Sequence, residues 1–384
     1  MVDKGPESHG EGPHLRNTES RHVRKRQVLI QLGRAGLILA GIGLIVWILW
    51  AAGWSAIEAN LAVIGPWFVA LAAFFVFAEL AFMMGWWVLI DPETRQGRFP
   101  SLFGVYLTGY SVNYLVPSGN FAGEPVKADL SRDTLGLRDA LASIAVHKHA
   151  ELLAQWVFLA AGMGICLTQF ELSMPINVAA VLLLGGLGVA LILATVALRR
   201  GTFLPALQWL ARWRPLAARL SRYQPLAEAL DAKIQPFYSR KQGGLFAASA
   251  AWCFVGWCGG LLETYVVLRF LAPNEGWMTA VAIETITMVL NSLVAFVPGR
   301  VGTAEGVRVG VFLLLGLPAA QGAAYGLVRR GRELIWIMPG LVVLFRRYGG
   351  RFGRLGRLDL PEAAHAKALE ESDSAIPTLS ADRG

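Results

Sequence analysis

Two stretches decide the reading of this chain: Val116-Pro117-Ser118-Gly119-Asn120-Phe121-Ala122-Gly123-Glu124 and Val297-Pro298-Gly299-Arg300-Val301-Gly302-Thr303-Ala304-Glu305. In each, a proline follows an apolar run and a glutamate stands seven residues after it. The match continues downstream, where Gly136-Leu137 followed by Ala140 parallels Gly316-Leu317 followed by Ala320. It reaches Val146-His147-Lys148-His149-Ala150-Glu151-Leu152 against Val328-Arg329-Arg330-Gly331-Arg332-Glu333-Leu334. Proline removes a backbone donor and glycine relaxes the backbone, so Pro117, Gly119 and Gly123 in one copy and Pro298, Gly299 and Gly302 in the other are the expected breaks in two helical hairpins. A duplicated, broken, charged element at membrane depth is a common way to build a transporter's substrate site.

The surroundings are apolar enough for that depth. Of the 384 residues, 55% are hydrophobic and 16% charged. Runs of roughly twenty apolar residues, long enough for a ~30 Å hydrocarbon core, lie at 34–54, 61–90, 150–168, 175–198, 244–271 and 319–345. The thirteen tryptophans, many near the ends of these runs, suit an interfacial belt. The fold class expected is an all-α polytopic membrane protein with about six full spans plus two re-entrant helical hairpins, 99–125 and 277–317, in an inverted repeat. The first run follows Arg24, Lys25, Arg26 and Arg34 and is long for a signal-peptide core, so it reads as an uncleaved helix. Cys166, Cys253 and Cys258, all in apolar runs, form neither a disulfide framework nor a paired metal knuckle.

Charge sets orientation. The net +8 is concentrated in the N-terminal tail, 91–100, 127–138, 199–241 and 346–357, whereas 55–60, 169–174 and 271–277 carry no Lys or Arg. The positive-inside rule then places both termini in the cytoplasm, in a bacterial cytoplasmic membrane. Nucleic acid is not an expected partner, because orientation already requires these charges. Counting crossings makes 99–125 dip and return from the cytoplasmic side and 277–317 from the opposite side. The segments expected are a tail at 1–32, a first half at 33–198, a basic amphipathic cytoplasmic loop at 199–243, a second half at 244–346 and a tail at 347–384. The loop suits an anionic lipid surface or a plain linker equally. Ordinary proline-kinked helices without a site are the alternative to hairpins.

An acid near the bilayer centre costs roughly 2.5–3.5 kcal/mol on insertion scales and is generally paired or faces water. Glu124 and Glu305 stand just past the breaks, with Lys127, Arg300 and Arg308 nearby. Arg329, Arg332 and Glu333 share one helix face, with Arg330 on its flank. Lys148 stands three residues before Glu151, and His147 four. Planar guanidinium groups suit bidentate phosphate binding, so Lys127, Lys148, Arg300, Arg308, Arg329, Arg330 and Arg332 are expected to hold an anionic headgroup, oriented by Glu124, Glu151, Glu305 and Glu333. Mutual neutralisation of these residues is the competing reading. No metal site and no cofactor are expected: His149 points away from His147 and Glu151 on a helix, and HExxH is absent. Glu79, Glu263 and Glu284 are either proton-coupling groups or paired structural acids. Asn113 and Asn291, which precede the breaks, can hydrogen-bond the unwound backbone.

With these residues in place, the chain resembles the lysylphosphatidylglycerol synthase transmembrane regions, also called flippase-like membrane proteins. The resemblance rests on Asn113, Pro117, Gly123-Glu124-Pro125, Leu130, Arg132 and Gly136. In the second half it rests on Pro298-Gly299, Gly302, Glu305, Gly316-Leu317, Arg330, Glu333 and Pro339-Gly340. It covers nearly all of 33–346 and implies movement of a phospholipid or lipid-linked phosphate between leaflets. In bifunctional relatives this region precedes a soluble aminoacyl-transferase domain; here the chain ends soon after the last span, so lipid aminoacylation is not expected. Lys148, between two histidines, stands where an arginine is usual. The expected partners are membrane lipids with an anionic headgroup and, beyond them, a lipid-synthesising enzyme. A membrane-embedded transferase acting on a polyprenyl-phosphate or lipid, or a scaffold for a separate lipid-modifying enzyme, is the alternative function.

Overall fold

The structure, a computed structural model, describes residues 50, 53–116, 118–170, 174–212, 220–293, 297 and 302–348. The expected span at 34–54 lies almost entirely outside them, as do Pro117, Pro298, Gly299, Arg300 and most of both tails. By packing, the chain divides into Met1–Leu341 and Val342–Gly384.

Four helices among the described residues are long and apolar enough to cross a membrane: α1 (Trp54–Trp87), α4 (Leu137–Gln169), the stretch Val178–Arg200 within α5 (Met174–Arg200), and α8 (Gly243–Leu271). Helix α1 is interrupted at Gly65-Pro66, where a short 3-10 turn takes the place of the regular ladder. Its inward residues, Leu71, Ala72, Phe75, Ala78, Glu79, Met83 and Trp86, recur at three- and four-residue spacing, while Val63, Val69 and Phe77 are exposed. Val181, Leu182, Val189, Ile192 and Leu193 of α5 are likewise exposed. An apolar exterior of this extent is stable against acyl chains and unstable in water.

Shorter helices complete each half. Helices α2 (Phe99–Leu115) and α3 (Gly123–Leu135) lie between α1 and α4, and α9 (Trp277–Leu293) and α10 (Thr303–Leu314) lie between α8 and α11 (Ala319–Tyr348). The two series match closely. Helices α2 and α9 have 17 residues each, α3 and α10 have 13 and 12, and α4 and α11 have 33 and 30. In both, a glycine at φ 76° (Gly136 or Gly316) turns the short helix into the long one, a conformation that L side chains rarely adopt. Helix α11 is long enough to span, but its five arginines and Glu333 keep it out of the apolar set.

Each short pair packs on itself, α2 on α3 and α9 on α10. In the first pair the approach is closest at Gly109 and Gly123, where a Cβ on Gly123 would stand 2.1 Å from the Gly109 carbonyl oxygen. The halves interlock: α8 packs on α1 and α4, and α9 packs on α4. One core cluster joins them, with Leu71, Phe158, Met163, Leu268, Ile283, Phe312 and Tyr325 among its members. Helix α2 docks on α11 beside Pro339, where the Ser111 hydroxyl donates to the Ile337 carbonyl (2.9 Å) and Thr108 to the Gly340 carbonyl (3.1 Å).

The connecting stretch contains α6 (Phe203–Leu210) and α7 (Gln224–Ile234). Helix α7 packs on α4, and Leu230 and Ile234 join Leu89, Ala142 and Val146 in a small core. Asp231 accepts from the amides of Thr202, Phe203 and Leu204 at 2.8–3.0 Å, so a carboxylate from α7 caps the start of α6. The stretch is therefore anchored to the bundle, while Trp209 and Leu210 at the end of α6 remain exposed.

A charged cavity shared by the two halves

Helices from both halves enclose a cavity of ≈ 220 Å³. It is lined by Glu79 of α1, Glu124 and Lys127 of α3, Lys148 and Glu151 of α4, Glu284 of α9, and Arg329, Arg332 and Glu333 of α11. The side chains reach it because each long helix turns one face inward. Arg329, Arg332 and Glu333 share such a face, with Arg330 beside it.

In the first half, the Lys127 ammonium stands 2.5 Å from Glu124, and Lys148 stands 3.1 Å from Glu151 and 3.8 Å from Glu124. Asn113 locks this arrangement to the hairpin: its Oδ1 accepts from the Gly123 amide (2.7 Å) and its Nδ2 donates to Glu124 (3.2 Å). Gly119 and Asn120 both have positive φ, 63° and 67°, so the backbone turns sharply between α2 and α3.

The second half repeats the set with arginines. Arg330 pairs with Glu305 at 2.7 Å and Arg308 with Glu333 at 2.9 Å, and the Glu305 carboxylate also accepts the Gly302 amide at 3.0 Å. Glu124, Lys127, Lys148 and Glu151 thus correspond in position to Glu305, Arg308, Arg330 and Glu333. Lys148 meets Glu124 as Arg330 meets Glu305, whereas Lys127 pairs with Glu124 of its own helix and Arg308 with Glu333 of α11. Tyr114 links the halves, donating its hydroxyl to Glu333 (2.9 Å) and accepting from Arg330. Deeper in, Arg329 bridges Glu263 (2.8 Å) and Glu284 (2.9 Å), and Arg332 holds Glu263 (3.1 Å) with its guanidinium 3.6 Å over the Phe75 ring.

Each of Lys127, Lys148, Arg308, Arg329, Arg330 and Arg332 is therefore in an ion pair, and any incoming anion would have to compete with a carboxylate for it. Seven of the expected residues line the cavity: Glu124, Lys127, Lys148, Glu151, Arg329, Arg332 and Glu333. Glu305, Arg308 and Arg330 join them through the ion pairs, and Arg300 lies outside the described residues. Asn291 Oδ1 is buried with no hydrogen-bond partner among the described residues. His147 and His149 do not converge: His147 Nε2 lies 3.1 Å from the Phe82 carbonyl, and His149 Nε2 lies 2.9 Å from the Thr195 hydroxyl.

Sequence reasoning missed the aromatic part of the wall. Tyr106, Tyr110 and Tyr114 line the cavity together with Phe75, Phe82 and Trp257. The three tyrosines recur every four residues on α2, a stripe that the helical period alone marks. Thr264 and Tyr325, which donate to Glu284 at 2.5 and 3.3 Å, have no such signal.

No curated protein and no solved structure matches the chain. A family model, Lysylphosphatidylglycerol synthase TM region, matches residues 35–340. With that match spanning the duplicated helices and the cavity between them, the chain belongs to this family of membrane proteins.

Proposed function

We propose that this protein is a lipid translocator: it carries the headgroup of an anionic phospholipid or lipid-linked phosphate between leaflets, without covalent chemistry. The observation that carries this reading is the ≈ 220 Å³ cavity lined by paired charges from both halves, inside helices whose outer faces are apolar. A water-filled, charged cavity lowers the cost of moving a headgroup through hydrocarbon while the acyl chains stay in the bilayer.

In this reading the α2/α3 and α9/α10 pairs are re-entrant hairpins entering from opposite faces, and the halves form an inverted repeat. Broken backbone at that depth is tolerated where it lines such a cavity. Phosphate replaces a carboxylate on Lys127, Lys148 or an arginine, and the released glutamate finds a second cation in the network. Rocking one half against the other then exposes the cavity to each leaflet in turn. Both termini are cytoplasmic in a bacterial inner membrane, and a lipid-synthesising enzyme supplies the substrate.

The test is translocation of fluorescent phosphatidylglycerol, beside phosphatidylcholine, in proteoliposomes of the full chain. Faster flipping of the anionic lipid, lost in Lys148→Ala and Arg330→Ala variants that keep their helical content, is the expected result. Rates equal to protein-free vesicles for both lipids, or unchanged by both substitutions, overturn the proposal.

A further inference from the structure

The buried charges of the two halves correspond at the short helices α3 and α10 and at Lys148, Glu151, Arg330 and Glu333, but diverge around Glu79. Glu79 of α1 and Glu263 of α8 each stand eight residues before the end of their helix, at Trp87 and Leu271. Glu263 is held by Arg329 and Arg332 of α11. The residues of α4 that align with those two arginines are His147 and Ala150. Ala150 carries no charge. The His147 ring is turned to the Phe82 carbonyl at 3.1 Å, with Cys253 Sγ 3.7 Å from the same nitrogen. Glu79 is left without the guanidinium groups that its counterpart has. It is 2% exposed, accepts the Tyr106 hydroxyl at 3.0 Å, and among the described residues forms no ion pair.

The titratable groups around Glu79 include Tyr106 and Tyr110 of α2, Glu151 of α4, Glu263 of α8 and Arg332 of α11, and Lys127 and Lys148 line the same cavity. The cations of this cavity are engaged elsewhere: Arg332 by Glu263 and the Phe75 ring, Arg329 by Glu263 and Glu284, Lys127 by Glu124 and Lys148 by Glu151. Yet Glu79 lines the cavity. Glu263 and Glu284, the other two candidates for proton exchange, are both fastened by Arg329. A buried carboxylate with no cation is costly, and a proton removes the cost.

We infer that Glu79 binds a coupling proton, so that an anionic headgroup and a proton occupy the cavity together and cross together. This inference rests on the translocator reading. An anionic headgroup brings a second negative charge beside Glu79, so headgroup and proton favour each other's binding, and the coupling is reciprocal. The proton enters from the aqueous phase to which the cavity is open, resides on the Glu79 carboxylate, and leaves to the opposite phase. Tyr106 keeps a hydrogen bond to the carboxyl group in both forms.

The experiment uses the full chain in proteoliposomes with fluorescent phosphatidylglycerol. Equal potassium on both sides, with valinomycin, holds the membrane potential at zero while a pH difference of one unit is imposed. One proton per lipid then skews the leaflet ratio of the probe about tenfold, since one pH unit is a factor of ten in proton activity. The isosteric variant Glu79→Gln abolishes the skew. Transport by the wild type to an even leaflet ratio, or a skew that survives in Glu79→Gln, overturns the inference while leaving the translocator reading intact. If the wild type moves no lipid, the translocator reading falls, and infrared difference spectra of the protein in bilayers decide the proton site separately. A protonated-carboxyl band that comes and goes with pH and is missing from Glu79→Gln supports the site. Identical spectra for the two proteins overturn it.

Discussion

Arg329 provides the sharpest test of how the buried charges hold one another. Its Nη1 lies 2.8 Å from Glu263 Oε2, and its Nη2 lies 2.9 and 3.2 Å from the two Glu284 oxygens. Replacing it with methionine affects the two acids differently. Glu263 keeps Arg332 at 3.1 Å. Glu284, 4% exposed, keeps, among the described residues, the hydroxyls of Thr264 and Tyr325 and no cation. The loss therefore falls on Glu284, and stranding a buried charge in this way costs about 3–5 kcal/mol. Adding Glu284→Gln to Arg329→Met removes the stranded charge and is expected to recover about 2–3 kcal/mol. Arg332→Met is expected to cost less than Arg329→Met, because Glu263 then retains Arg329. Unfolding of the wild type, Arg329→Met, Glu284→Gln and the double variant in mixed micelles, followed by tryptophan fluorescence as the denaturing detergent is raised, gives the cycle, with Arg332→Met measured beside them. A coupling energy below about 0.5 kcal/mol, or an Arg332→Met loss as large as that of Arg329→Met, refutes the reasoning.

Two further outcomes follow from particular contacts. Gly123→Ala places a methyl group 2.1 Å from the Gly109 carbonyl, where backbone must move, so the α2/α3 hairpin splays. It is expected to lose about 1–3 kcal/mol in the same micelle assay, whereas Gly164→Ala, whose added Cβ meets nothing, is expected to change stability little. Asp231→Ala removes the acceptor of three amides at the start of α6 and is expected to cost about 1–2 kcal/mol locally. Limited proteolysis within 203–210 is the readout, with cleavage faster than in the parent protein and the spans untouched.

The duplication was legible in the sequence because it is carried by residues whose chemistry is hard to substitute. Gly136 and Gly316 read as a matched pair, and both have φ 76°. Glu124 with Lys127 reads as a local pair from spacing alone, and the two stand 2.5 Å apart. Arg329, Arg332 and Glu333 read as one helix face because the helical period puts them there. The tyrosine stripe at 106, 110 and 114 carried the same kind of periodic signal and went unused, being equally compatible with a packing face. Helix α4 begins at Leu137, earlier than the apolar run at 150–168, and of the residues before that run His147 and Lys148 are buried against Phe82 and Glu124 of other helices. Hydropathy scores such residues as if they faced lipid.

Sequence alone determined that the chain is helical, apolar on its outer faces, built twice from the same series of elements, and equipped with buried acids and bases near each break. These properties follow from composition, period and local spacing, which act within one helix or one turn. The tertiary structure decided which charge meets which. Arg308 lies on α10 and its partner Glu333 on α11, Arg329 reaches across to α8 and α9, and Tyr114 of the first half bonds the second. It also decided that Glu79 lacks what Glu263 has. Ion pairing between helices depends on how the helices cross and on a few ångströms of depth, and nothing in the local pattern of either partner encodes that.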